Sequence, residues 1–285
     1  MAAFYNQATL SYNGTVTSSN ITTGEILEVL SAEKTAVTDS YTTGDEIVFA
    51  VSMVNSGTSA LTNLTLSDDL GAYSFGEPPA QAVPLTYVPD SLKYFINGVL
   101  QPSPAAPRVS PLTVSGIEVP AGGNSMVMYA ARVNEFAPLG EDSSITNTAE
   151  ITGTGITGVS AQETIASADG AVLTISKSLS PVAVEENGSV TYTFTIQNSG
   201  NAEASASDDI IFTDTFDPIL TNLTAEFNGT PWTAANYTYD QSTGTFTSLA
   251  GQITVPAATF SQDPQSGVWS VQPGISTLTI TGNIS

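Results

Sequence analysis

Two of the three lysines in this chain stand at the same point of a repeated pattern. Lys34 and Lys177 each come shortly before an apolar run, and an aspartate, Asp68 or Asp214, follows each run. An apolar surrounding lowers the pKa of a lysine and leaves a neutral, nucleophilic amine. A carboxyl group buried beside it stays protonated and can polarise an amide carbonyl. The residue types therefore predict attack of an amine on a carbonyl group.

Composition limits what other chemistry is available. The 285 residues include no His and no Cys, which removes the commonest general base, the commonest metal ligand and all thiol chemistry. The sequence contains no nucleophile–base set besides the lysine and aspartate pairs. We therefore expect no enzyme, no cofactor and no metal site, but at most a single-turnover reaction of the protein on itself. The pairs Asp68-Asp69 and Asp208-Asp209 leave calcium binding open.

The charge balance excludes two classes of partner. Five Lys and Arg residues stand against 27 Asp and Glu residues, giving a net charge of −22. A surface of this sign repels nucleic acid and anionic membranes, so we expect neither as a partner. Nor does any apolar stretch reach the length of a transmembrane helix, so membrane insertion is not expected.

Apolar and polar residues alternate with a period of two along much of the chain. Residues 46–54, 125–129 and 190–196 are clear examples, and Asn-Ser-Gly turns follow at 55–57 and 198–200. This alternation is typical of half-buried β-strands, and short strands between regular turns indicate a sandwich or barrel. The predicted fold class is therefore all-β.

The two halves of the chain repeat each other. Lys34 and Lys177 are 177 − 34 = 143 residues apart, and the two Asn-Ser-Gly turns have the same offset. Asp68 and Asp214 are 214 − 68 = 146 residues apart. Landmarks shared in the same order indicate two copies of one domain.

The copies differ in one strand. The first repeat adds a final segment, residues 145–152, which contains Asn147, and no equivalent follows the second repeat. A near copy with Asn6 occupies residues 4–12, which we predict to be a β-strand without a partner close by in sequence. We predict an N-terminal donor strand and linker over 1–26, one sandwich domain over 27–158, and a second over 159–285 that lacks its last strand.

A sandwich that lacks a strand exposes an apolar groove and an unpaired edge, both of which are costly. A loose strand can fill such a groove by β-addition. Insertion into the same chain gives a monomer, whereas insertion into the next chain gives a head-to-tail filament. The segment from Gly24 to Leu27 is a short link, which favours a filament, so we expect a homopolymer.

The pattern of Lys, Asn-Ser-Gly, Ser/Thr-Asp and Asn-x-Ala resembles the bacterial "conserved repeat" domain. That domain is an immunoglobulin-like module of bacterial and archaeal surface proteins, similar to pilin and adhesin modules with a Lys–Asn isopeptide bond. The resemblance implies two tandem immunoglobulin-like β-sandwich domains in an extracellular structural protein. It implies a subunit of a cell-surface or spore-surface filament, such as a pilus or spore appendage. The alternative is a repeat fragment of a long surface adhesin or S-layer protein.

The resemblance also implies which residues are cross-linked. In the first domain Lys34 would join Asn147, with Asp68 promoting the reaction inside one chain. In the second domain Lys177 would join Asn6 of another chain, with Asp214 promoting the reaction.

Two alternatives stay open for these residues. A shift of one residue in strand register turns a side chain to the opposite face, in which case Asp69, Glu46 or Glu150 would replace Asp68. The residues also have ordinary explanations. A lysine can protect a strand edge, an aspartate can form a turn, and an asparagine can cap one.

Overall fold

The computed structural model describes residues 2–104 and 108–284, so the predicted limits at residues 1 and 285 lie outside it. These residues form 28 strands and one 3-10 turn, η1, at Ala206–Asp208. The all-β prediction is confirmed, and its cause is the period-two alternation of apolar residues. Within the described ranges no helix is long and apolar enough to cross a membrane.

The chain divides into two compact units. Unit 1 contains residues up to Ser74, Gln81–Asn134 and Ile145–Ile165, and unit 2 contains Phe75–Ala80, Glu135–Ser144 and the residues from Ala166 onward. The sequence placed the boundary after residue 158. Strand pairing extends the first unit further, because 159–165 belong to a strand of its second sheet.

Eighteen strands precede residue 168. They are β1 Ala2–Asn6, β2 Thr9–Tyr12, β3 Thr15–Ser18, β4 Thr22–Ile26, β5 Leu30–Ala36, β6 Ser40–Tyr41, β7 Glu46–Asn55, β8 Leu61–Asp68, β9 Tyr73–Phe75, β10 Ala80–Ala82, β11 Leu85–Tyr87, β12 Lys93–Ile96, β13 Val99–Gln101, β14 Arg108–Val109, β15 Leu112–Val119, β16 Asn124–Val133, β17 Ser144–Thr152 and β18 Val159–Ser167.

The first strand is not without a nearby partner, contrary to the sequence prediction. β1 pairs with β4 and β2 pairs with β3, so residues 2–26 form one antiparallel hairpin. Asn13 and Gly14 lie at its tip with φ of 50° and 80°. Two consecutive positive φ angles define the turn that favours tight hairpins, and Asn-Gly is the pair that adopts it most readily. The predicted link at Gly24 is part of strand β4.

Unit 1 is a sandwich of two six-stranded sheets. The first has the order β13-β12-β16-β7-β5, with β11 beside β16, and the second has the order β14-β15-β8-β17-β18-β6. Alternate residues of each strand are buried, as in β7 and β17. The core therefore lies between the inner faces of two antiparallel sheets, as in immunoglobulin-like domains.

Ten strands follow from residue 168 on. They are β19 Leu173–Ser180, β20 Ser189–Asn198, β21 Thr213–Thr215, β22 Leu220–Phe227, β23 Thr230–Pro231, β24 Tyr237–Asp240, β25 Thr245–Ser248, β26 Thr259–Gln262, β27 Trp269–Gln272 and β28 Gly274–Ile284.

Unit 2 repeats the first sheet of unit 1 but only part of the second. Its sheet β19-β20-β28-β22-β23 matches β5-β7-β16-β12-β13 strand for strand. Its other main sheet is β21-β25-β24, in which β21 and β25 correspond to β8 and β15. In unit 1 the far side of β8 pairs with β17. Among the described strands of unit 2, none occupies that position beside β21.

Candidate cross-linking sites

A buried ion pair joins the two sheets of unit 1. Lys34 Nζ lies 2.6 Å from Asp68 Oδ2, and both side chains are 0% exposed. Lys34 comes from β5 in the first sheet and Asp68 from the end of β8 in the second. Each stands on the inward phase of its strand, so the alternation that builds the core also brings the amine to the carboxylate.

Tyr129 and Asn147 complete this cluster. Tyr129 donates a hydrogen bond of 2.6 Å to Asp68 Oδ2, and Asn147 Nδ2 donates one of 3.0 Å to Tyr129 Oη. Asp68 Oδ1 accepts from the backbone N–H of Leu70 at 3.0 Å. Four polar side chains therefore meet inside an apolar core, two from each sheet.

One polar atom of the cluster has no partner. Asn147 Oδ1 is buried and makes no hydrogen bond within the described structure. A buried, unpaired carbonyl oxygen costs about 1–3 kcal/mol, so native proteins rarely keep one. The amide carbonyl of Asn147 is therefore buried without compensation in a cluster that also holds an amine.

Burial sets the protonation of this site. Desolvation lowers the pKa of the Lys34 amine, and attraction to Asp68 opposes that shift only in part. Desolvation also raises the pKa of the Tyr129 hydroxyl well above its ordinary value, and the charge of Asp68 adds to the increase. The rings of Phe49 and Tyr129 lie 5.2 and 5.9 Å from Lys34 Nζ. The site favours an uncharged amine and keeps the phenol protonated.

The second lysine site has the same pair in a different setting. Lys177 Nζ lies 2.6 Å from Asp214 Oδ2, but the side chains are 43% and 20% exposed. Tyr192, Phe194 and Phe216 surround the amine, with ring centroids 4.6, 5.3 and 5.4 Å away. Three aromatic rings therefore hold Lys177 against Asp214 on a surface that stays open to water.

The second lysine site is exposed on the side where no described strand lies beside β21. The inner face of β19 carries Leu173, Ile175, Lys177 and Leu179, and every residue of that strand is exposed. Ile175 is 56% exposed, whereas Leu30 and Lys34 on the equivalent strand β5 are buried. An apolar inner face that is exposed beside an unpaired strand edge is the kind of surface to which another strand can add.

The two sites differ in one further residue. In unit 1 Tyr129 pairs across the sheet with Phe49, and in unit 2 Ile280 pairs with Tyr192. Because Phe49 and Tyr192 are equivalent by register, Ile280 occupies the place of Tyr129. The second site therefore lacks the hydroxyl that bridges Asp68 and Asn147 in the first.

The remaining candidates lie elsewhere. Asn6 is on the exposed hairpin, where it pairs with Thr22. Glu46 is exposed and pairs with Arg132 at the surface, and Glu150 is also exposed. Asp69 accepts hydrogen bonds from the backbone of Gly71 and Thr148. The structure therefore brings Lys34, Asp68 and Asn147 together and leaves Glu46 and Glu150 outside the cluster.

Sequence reasoning missed Tyr129. The signal was present, because Tyr129 stands on the inward phase of the alternating strand β16. A buried tyrosine needs a partner for its hydroxyl group, and the predicted neighbours were a carboxylate and an amide. The alternation could therefore have placed this residue at the site.

Comparison with known proteins finds only distant structural similarity. No protein-family model and no curated sequence matches the chain. BcpA, the major pilin subunit of Bacillus cereus, is 11% identical, with a TM-score of 0.37 over 96% of this chain and 73% of that one. The C-terminal fragment of the major pilin GBS80 of Streptococcus agalactiae is 13% identical, with a TM-score of 0.34 over 51% of this chain. The chain spans 58% of that fragment.

A protein of different function is also similar to this chain at a comparably low level. AvmM, which catalyses macrocyclization in alchivemycin A biosynthesis, is 14% identical, with a TM-score of 0.30 over 57% of this chain and 96% of that one. Likeness at this level does not separate pilins from enzymes, and it carries no argument about function. The "conserved repeat" family stays a resemblance.

Proposed function

We propose that this chain is the structural subunit of an extracellular fibre, assembled head-to-tail. The N-terminal segment of one subunit would complete unit 2 of the next. The observation that carries the proposal is the open site around Lys177. It has the same lysine–aspartate pair as the closed site around Lys34, but no described strand takes the place of the one that bears Asn147.

The N-terminal strand has the side chains that the open site requires. In β17 the inward residues are Ile145, Asn147, Ala149 and Ile151, all buried. An offset of 147 − 6 = 141 places Phe4, Asn6, Ala8 and Leu10 at the same positions. Phe4 and Leu10 are 55% and 66% exposed on the free hairpin. Burial of a large apolar side chain contributes about 1.5–3 kcal/mol, so insertion would be favourable.

The pairing in unit 1 supplies the register. Ala149 lies opposite Asp68 and Ile151 opposite Leu66. Transferred to unit 2, the same register sets Ala8 opposite Asp214, which brings Asn6 to the position that Asn147 holds beside Lys34. When the donor strand of one chain enters the acceptor edge of the next chain, the contact does not close, and such contacts build filaments.

The first site would form an isopeptide bond within the chain. Lys34 passes a proton to Asp68, and the neutral Nζ attacks Cγ of Asn147. The bond from Cγ to Nδ2 breaks and Nδ2 leaves as ammonia. The nitrogen of Lys34 gives up two protons in total, one to the ammonia and one that stays on Asp68. Tyr129 contacts both Asp68 and Nδ2, so it can relay the proton to the leaving group.

The second site would form the same bond between chains. Lys177 attacks Cγ of Asn6 from the neighbouring subunit, and Asp214 takes the part of Asp68. With Ile280 in the place of Tyr129, no relay operates there. We therefore expect the internal bond to form on folding and the intermolecular bond to form more slowly, after insertion.

The test is the size of the purified full-length protein after boiling in SDS. A ladder of covalent multimers is expected, and electron micrographs should show filaments. Asn6→Ala should remove the ladder but leave the internal bond, whereas the matched variant Thr9→Ala, on the other face of the strand, should keep both. Parent protein that shows neither ladder nor filament would favour the alternative, in which a neighbouring repeat of a longer surface protein completes unit 2.

A further inference from the structure

We infer that the donor is the complete hairpin of residues 2–26 and that both of its strands enter the neighbouring unit 2. This inference rests on the proposed function and concerns its partner surface. A single inserted strand would fill the position of β17, whereas a hairpin would fill the positions of both β17 and β18.

The strand register carries the argument. In the free hairpin Tyr5 lies opposite Thr23. In the β17–β18 pair the hydroxyl groups of Thr146 and Thr164 lie 2.9 Å apart. The backbone N–H of Ser167 donates to the carbonyl of Ser143 at 2.7 Å, which fits the same register. Subtracting the offset of 141 from 146 and 164 gives 5 and 23.

The β1–β4 pair therefore has the register of the β17–β18 pair, and the agreement extends beyond the first strands. A one-residue slip in either pair would have broken this agreement, because it turns every side chain to the other face. Agreement in both strands indicates that β1 and β4 together are a copy of the paired ends of β17 and β18.

The paired side chains on the inner face of the hairpin differ in size from those of β17 and β18, but the larger one compensates for the smaller one. The register that pairs Thr146 with Thr164 sets Ile145 opposite Ile165, and both are buried in unit 1. The equivalent pair in the hairpin is Phe4 and Gly24. A Cβ atom on Gly24 would lie 2.2 Å from the Phe4 ring. One large and one absent side chain thus replace two of intermediate size.

Strand β4 gains a surface to pack against only if it enters the neighbouring unit 2 together with β1. Strand β4 is paired on one side by β1, and the described residues show no strand on its other side. In unit 1 the equivalent strand β18 buries Ala161 and Ile165. A hairpin also enters without losing the hydrogen bonds between its strands, whereas a single donor strand must first break them.

A removable covalent staple tests this inference. The chain has no Cys, so Tyr5→Cys with Thr23→Cys introduces one pair. The equivalent residues Thr146 and Thr164 are exposed and lie three positions from the hydrogen-bonded pair Ser143 and Ser167, so the alternation of pairs along the strands makes them a non-hydrogen-bonded pair. Opposite residues at non-hydrogen-bonded positions have the short Cβ separation that a disulfide requires. The staple would therefore lie on the outer face, away from Asn6.

The full-length variant should form the same ladder at the same rate when oxidised and when reduced, with closure of the disulfide verified by mass beforehand. An oxidised variant that stays monomeric and polymerises on reduction would overturn the inference and retain single-strand insertion. Absence of a ladder from the parent chain would instead refute the proposed function.

A second pair of variants tests the inference without cysteine. Gly24→Ile overpacks the hairpin against Phe4 and should slow assembly about tenfold or more, given the usual cost of overpacking. Phe4→Ile with Gly24→Ile reproduces the pair found in unit 1 and should restore the rate. If only the first strand entered, loosening the hairpin would release it, so faster assembly by Gly24→Ile alone would contradict the inference.

Discussion

The two lysine sites hold the same pair of residues at the same distance and differ in what covers them. Both lysines lie 2.6 Å from their aspartates. Strand β17 covers the first pair and removes it from water, whereas the second pair lies beside an edge that no described strand occupies. The distance between lysine and aspartate therefore does not depend on the covering strand, whereas the burial of the two side chains depends on it entirely.

The difference shows that the lysine is positioned by one set of strands and desolvated by another. Strands β19 and β21 hold Lys177 against Asp214 without help from a further strand. Desolvation, which lowers the pKa of Lys34, requires the covering strand. Under the proposed function, the second site would be positioned before its partner strand arrives and would become reactive when that strand excludes water.

The largest expected effect is the loss of all covalent polymer on removal of the open-site amine. Lys177→Arg keeps the charge but offers no nucleophilic amine, so the SDS-resistant ladder should disappear. The matched control is Lys93→Arg, since Lys93 is exposed and distant in sequence from both sites. Filaments that remain visible but dissociate on boiling would show that strand insertion survives without the bond. A persistent ladder would exclude Lys177 as the cross-linking residue.

The next effect is on the stability of the first unit. Asn147→Ala prevents closure of the loop between residues 34 and 147. After correction for the substitution itself, the intact variant should therefore be heavier than the parent by the one ammonia that the parent loses when the bond forms. Cross-links across loops of this length stabilise by roughly 4–5 kcal/mol in chain-entropy models, and the free energy of unfolding in denaturant should fall by a similar amount. Thr146→Ala, on the exposed face of the same strand, is the control. Equal masses for the parent and Asn147→Ala, after correction for the substitution, would show that no bond forms.

A smaller effect, on the rate of internal cross-linking, should show whether the Tyr129 hydroxyl relays a proton or whether the Tyr129 ring only packs in the core. Tyr129→Phe retains the ring that stacks on Phe49 at 5.7 Å but loses the hydroxyl group. Loss of such a buried hydrogen bond costs about 1–3 kcal/mol, which predicts internal cross-linking about ten- to a hundredfold slower, followed by mass after refolding. The intermolecular ladder should be unchanged, because Ile280 replaces this tyrosine there. Tyr87→Phe, whose ring lies 6.4 Å from Tyr129, should leave both rates as they are.

The smallest effect is the pH dependence of the folding stability of the variant Asn147→Ala, in which Lys34 stays an amine. The pKa of Lys34 is lower in the folded chain than its ordinary value of 10.5, so the unfolded chain binds more protons below that pH. Stability must then rise as pH increases through the lowered pKa toward 10.5. Removing the amine as well, with Lys34→Met, should flatten this dependence. The cross-linked parent should also lack it, because an amide nitrogen does not titrate.

The alternation of apolar and polar residues along the chain made much of the fold and of the candidate site predictable. Period-two patterns defined the strands, the repeat offset related Lys34 to Lys177, and comparison of the repeats placed Asn147 on the last strand of the first domain. The N-terminal segment was harder. Its resemblance to residues 145–152 was visible, but the prediction of a strand without a nearby partner was wrong. The predicted strand over residues 4–12 did not include the return strand, which pairs with it as far as Ile26.

The sequence by itself determined which residues share a face, because alternation along a strand depends only on neighbours in the chain. It also determined that the chain carries two copies of one strand pattern. Only the tertiary structure decided which groups meet across the two sheets. Tyr129 joins Asp68 to Asn147 because β16 and β8 belong to opposite sheets of one sandwich. Burial of Lys34 and exposure of Lys177 likewise depend on whether a strand lies beside β8 or β21, which is a property of packing between segments far apart in sequence.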